Sequence, residues 1–202
     1  MTWRHVLLAA RLLFLGGCSA EAFDEAGEPP AAEAQSASRP LVLGLRSKDT
    51  RVAKAFDDVM IVKVPGKPDV TFAASTHPWF QNSAAATDAD RDGEPDVGML
   101  KPGRYRARRA GTHFGAPKFA VSQTNGKAAV PGWRNTNHDD VYDEDEIAAS
   151  DRRGDLLTDI LVHAAGEGSL PPIGCQVLSP DDMNALAKLV GNDFDYELRD
   201  AE

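Results

Sequence analysis

The sequence predicts a mainly β domain that ends in one short C-terminal helix. Apolar residues alternate with period two at Val70, Phe72 and Ala74, and Tyr105 and Ala107 alternate with arginines a little further on. Turn-forming clusters such as Pro65-Gly66-Lys67-Pro68 and Lys101-Pro102-Gly103 separate these runs. After Ser179, by contrast, Met183, Leu186, Ala187 and Val190 recur at i, i+3, i+4 and i+7, the spacing of a helix face.

Composition bounds the rest. The chain has 202 residues, 42% of them apolar, which fits one domain with a leader and a tail. Residues 1–17 have the pattern of a secretory signal: Arg4 supplies the charge, 6–10 and 12–15 the apolar region, although Arg11 interrupts it. Leu15-Gly16-Gly17-Cys18 resembles a bacterial lipobox, so Cys18 is expected to carry lipid; an ordinary signal peptide is the alternative. A membrane-spanning anchor does not fit so short and charged a stretch. Residues 18–40 are rich in Ala, Glu, Pro and Ser and predict a disordered tether, leaving 41–202 as the folded part. Ser19, in place of a retention aspartate, implies by likeness to other lipoproteins a periplasmic protein anchored in the outer membrane. Loss of Arg4 and Arg11 with the leader takes the formal charge from −9 to −11. So acidic a chain is a poor partner for nucleic acid.

Within the folded part, 41–45 predict a strand and 59–64 with 69–75 a β-hairpin about the Pro-Gly turn. Residues 87–96 then match the first half of a calcium loop. Asp88, Asp90 and Asp92 stand at alternating positions, Gly93 holds the sixth place, Glu94 the carbonyl place and Asp96 the ninth. Met99 stands where an EF-hand has its bidentate Glu, so the reading is a structural calcium outside the EF-hand class, with a solvated acidic turn, or a calcium-dependent adhesion module, as alternatives. Catalysis needs no cofactor on this reading, since a hard cation does nothing for a thiolate.

Arg104, Arg106 and Arg108 share one strand face. They read either as a stripe for a substrate carboxylate or as an outer face paired with local acids. Phe119 and Val121 continue the sheet. Loop 133–140 is polar and aromatic; Asn137 could line a cleft, and His138 is a second base candidate or a surface residue. Residues 143–146 read as a solvated charge run. The helix starts at Ser179 with Pro180 in its first position and Asp182 completing a capping box, and Gly191 closes it; 193–202 are expected to form an edge strand or fray.

Chemistry concentrates in 160–179, ILVHAAGEGSLPPIGCQVLS. Ile160, Leu161 and Val162 form a strand-type run ending in His163. Gly and Pro break the next segment, and Gly174 introduces a second short strand, 175–178. A thiol attacks as thiolate, and an adjacent imidazole is its usual activator, while the Gly174 and Cys175 amides could hold an oxyanion. A packed core His and Cys are the structural alternative. If Cys18 is lipidated, Cys175 is the remaining thiol of an exported protein; a Cys18–Cys175 disulfide is the competing arrangement.

This segment resembles the catalytic motif of the L,D-transpeptidase (YkuD-like) family, with His163, Gly174 and Cys175 at the matching positions, in a short-loop form. Pro172 departs from the usual Ser or Thr and Val177 from an Arg found in many members. The resemblance implies a β-sandwich and a cysteine acyltransferase acting on peptidoglycan stem peptides, with His163 as base and Cys175 as nucleophile. Its alternative is a non-catalytic envelope lipoprotein that keeps the fold as a binding module.

Overall fold

The computed structural model describes residues 39–48, 56–78, 86–139, 141–166 and 174–201, all within one compact unit, Ala32–Glu202. The leader, Cys18, the tether up to residue 38 and Pro172 lie outside the described residues.

The order of elements is β1 (Leu41–Arg46), β2 (Asp58–Lys63), β3 (Val70–Ser75), β4 (Val97–Leu100), β5 (Gly103–His113), β6 (Ala116–Gln123), β7 (Val130–Asn135), α1 (Glu144–Arg153), β8 (Leu156–Leu157), β9 (Leu161–Ala164), β10 (Gln176–Leu178), α2 (Pro180–Val190) and β11 (Asp193–Asp200). The β2–β3 hairpin forms as its sequence predicts, with Gly66 at φ 75 in the turn. A tighter hairpin joins β5 to β6 through Phe114 and Gly115, at φ 48 and 76. Two consecutive positive φ values are what a two-residue turn matched to strand twist requires.

The strands are organised as a closed barrel, β1-β11-β5-β6-β9-β10-β3-β2, beside a small sheet, β4-β7-β8. The domain is therefore mainly β, and its main sheet closes on itself where two stacked sheets were expected. Closure depends on β11. The terminal segment, expected at an edge or frayed, lies between β1 and β5, parallel to the first and antiparallel to the second. Phe194, Tyr196 and Leu198 face the core, while Asp193, Asp195 and Glu197 face outward.

An eight-stranded barrel has an interior just wide enough for side chains to fill. Here Met60, Val62, Phe72, Phe119, Val162, Leu178, Phe194 and Leu198 fill it. Helix α2 adds Met183, Leu186, Ala187 and Val190 to the same cluster and packs on β2, β6 and β9. Its Ser179 side chain accepts from Asp182 N at 3.1 Å, and Gly191 N–H donates to Ala187 O. With the lumen packed, chemistry has to occur at the rim or on the outer wall.

Residues 143–146 are not an idle charge run. Asp143 caps α1, accepting from Glu146 N at 2.8 Å, while the Glu146 carboxylate accepts from the Thr136 and Asn137 amides at 2.7 and 3.0 Å. The acids thus sit at the positive end of a helix dipole. The sequence disguises that helix because its buried face includes Glu146 and Ser150 rather than an apolar stripe.

Candidate active site

β9 and β10 are neighbours and run parallel, with Val162 opposite Gln176 and His163 opposite Val177. Side chains alternate, and Val162, Ala164 and Leu178 belong to the core, so His163 and Cys175 share the outer face. Cys175 lies two positions before the partner of His163. Strand rise and spacing then put the two Cα atoms about 8 Å apart. Among the described residues no hydrogen bond joins the two side chains.

The His163 ring is 8% exposed. Its Nδ1 lies 2.7 Å from the Ala164 carbonyl. A carbonyl only accepts, so Nδ1 carries the proton and Nε2 keeps the lone pair of a base. Burial lowers the His163 pKa, His113 and Lys118 lower it further, and the Ala164 bond opposes them. The imidazole is therefore neutral at neutral pH. His113 meets it edge-on at 4.8 Å, and Phe114, 51% exposed at the hairpin tip, packs against His113 with ring centroids 4.0 Å apart and planes tilted by 53°.

The residues flanking the thiol are fixed by packing and hydrogen bonds. Gly174 sits at φ 76, and a Cβ there would lie 2.5 Å from the Gly98 carbonyl, so only glycine fits. Gln176 is fully buried; its amide donates to Gly174 O at 3.1 Å and accepts from Tyr196 OH at 2.7 Å. Cys175 is partly buried, and its Sγ lies 3.8 Å from the Asp159 carbonyl and beside the Leu161 N–H. Burial pushes the thiol pKa up to about 11, Asp159 adds to this and the Leu161 N–H opposes it. Asp159 holds φ 57, a conformation uncommon for a residue with a Cβ.

Other predicted site residues fall elsewhere. Arg104, Arg106 and Arg108 stand in register with Glu197, Asp195 and Asp193. Arg104 reaches Glu197 at 3.4 Å and Arg106 reaches Asp195 at 3.1 Å, a cross-strand charge ladder of the kind the outer-face alternative describes. Asn137 uses its side-chain oxygen on Asp139 N at 3.0 Å. Asp88, Asp90 and Asp96 converge, whereas Asp92 accepts from Glu94 N and the Glu94 carboxylate approaches His138 at 3.5 Å.

Sequence inspection misses one group. His77 lies two residues beyond β3, whose last residue, Ser75, pairs with Val177 of β10. Its Nδ1 faces Asp58 at 3.3 Å, and its buried Nε2 has no partner. A histidine at a strand end before Pro78 is the only local signal, and Asp58 is too distant in sequence to suggest the pair.

No protein-family model, curated protein or solved structure matches the chain.

Proposed function

We propose that the chain is a cell-envelope cysteine acyltransferase that acts on peptidoglycan stem peptides through a Cys175 thioester. The observation that carries this reading is the Ala164 carbonyl bond, which leaves His163 Nε2 as the basic nitrogen on the strand beside the Cys175 thiol. In the proposed reaction Cys175 sulfur attacks a peptide carbonyl carbon while His163 Nε2 takes the thiol proton. The tetrahedral adduct collapses, the C–N bond breaks, and His163 returns that proton to the departing amine. The thioester then passes its acyl group to a second amine or to water. A resting thiol near pKa 11 stays protonated, so deprotonation belongs to the moment when substrate closes the gap to His163.

Resemblance to L,D-transpeptidases supplies the substrate class, and on this reading the barrel with its β4-β7-β8 flank is a form of that family's sandwich. A lipid at Cys18 would hold the enzyme on the periplasmic side of the outer membrane. The second reading, a non-catalytic lipoprotein, is favoured by the same raised thiol pKa and the missing imidazole contact. Muropeptide analysis with purified protein separates them. The wild type is expected to change stem-peptide cross-links or trim their ends, and Cys175→Ala to do neither; identical profiles for the two proteins contradict the enzymatic reading.

A further inference from the structure

The loop ahead of β4 carries a site unrelated to the thiol. Asp88, Asp90 and Asp96 each offer a carboxylate oxygen, all within 4.8 Å of one another. Asp96 is fully buried. Its Oδ2 accepts from Ala89 N at 2.5 Å, but Oδ1, equally shut off from solvent, receives no hydrogen bond. His138 Nε2 comes within 3.2 Å of Oδ1, yet it too lacks a hydrogen-bond partner. A buried carboxylate oxygen left in this state is costly. A cation seated among the three carboxylates gives that buried oxygen a partner.

We propose that this loop binds calcium through the Asp88, Asp90 and Asp96 carboxylates, with His138 steadying Asp96 from behind. Three carboxylates from a flexible loop suit a hard cation of variable geometry; magnesium demands a stricter octahedron, and zinc favours nitrogen and sulfur. Met99, in the place of an EF-hand's bidentate Glu, is buried in β4 and supplies no oxygen. Affinity therefore falls in the weak range of extracellular modules, a Kd on the order of 10⁻⁴–10⁻³ M. The site also bears on the thiol loop. Two residues after Asp96, the Gly98 carbonyl abuts Gly174, so a cation that fixes the start of β4 steadies the floor beneath Cys175.

Thermal unfolding of the full chain in calcium chloride, magnesium chloride or chelator tests this. About 10 mM calcium, some tenfold above the weakest expected Kd, raises Tm by about 3–6 °C, and magnesium by less. The calcium shift disappears in Asp90→Asn, an exposed change that leaves the core alone, and in Asp96→Asn. No shift in the wild type, or an equal shift in Asp90→Asn, overturns the proposal.

Discussion

Two polar neighbourhoods of this barrel differ in how completely their groups are partnered. In the first, the Asp58 carboxylate accepts from Ser47 N at 2.7 Å, Thr76 N at 2.6 Å and Thr76 Oγ1 at 2.7 Å. The fully buried Arg46 ties the same threonine to the Leu100 carbonyl, with Nη2 to O at 2.6 Å. In the second, the Cys175 sulfur has only a 3.8 Å contact to the Asp159 carbonyl and the neighbouring Leu161 N–H, and the nearby His163 ring bonds a carbonyl through Nδ1. Asp58 has its acceptors filled and secures the ends of β1, β2 and β3. The thiol is held less tightly, which is what the proposed acyl transfer requires of it.

Breaking the hydrogen bonds to Asp58 has the largest expected effect. Asp58→Ala strands the Ser47 and Thr76 amides and the Thr76 hydroxyl and costs on the order of 3–5 kcal/mol in urea unfolding, while Cys175 labelling in the folded state stays unchanged. The reverse pattern, intact stability with altered labelling, transfers the functional role to the Asp58–His77 pair. The cluster also has a pH signature. The Asp58 carboxyl is held down to about 2, mainly by bonds from His77 and Ser47 against the opposing cost of burial, whereas its ordinary value is 3.8. A depressed carboxyl contributes its stability above the ordinary value and loses it as pH falls towards 2. That amounts to about 2 kcal/mol, measurable as a difference between wild type and Asp58→Asn.

A smaller effect sharpens the contrast at the thiol loop. Gly174→Ala forces a Cβ against the Gly98 carbonyl at φ 76 and costs about 1–3 kcal/mol by chemical denaturation. It also displaces Cys175, so labelling changes together with stability; a neutral substitution contradicts the tight fit. The smallest effect is on the ladder. Arg104 is largely exposed, and Arg104→Ala changes stability by less than about 1 kcal/mol. A change in acyl-transfer KM for that variant alone restores the substrate role for the stripe.

Local signals made part of this molecule legible. The β2–β3 hairpin and α2 could be read from the sequence because a Pro-Gly turn, a Ser-Pro cap and regular periods act within a few residues of one another. Closure of the barrel could not, since β1 pairs with β11 from the other end of the chain and the acids of β11 make it look like a solvated tail. The alternation of Phe194, Tyr196 and Leu198 was its only visible trace. Helix α1 was concealed because its cap and its buried Glu146 are acids. At the site, the shared face of His163 and Cys175 follows from strand alternation. The parallel two-residue offset, the Gln176 anchor and the Asp58–His77 pair depend on tertiary partners that no local pattern specifies.

The central claim is that His163 activates the thiol at Cys175. Acylation of Cys175 by a thiol-directed carbapenem, followed by mass spectrometry across pH in the wild type and His163→Gln, tests it most directly. The account predicts acylation near neutral pH that is 10²–10⁴-fold slower in the variant, a range typical of losing a general base, with an unchanged melting temperature. Equal rates in the two proteins, both rising only as pH approaches the resting thiol value of about 11, would contradict it.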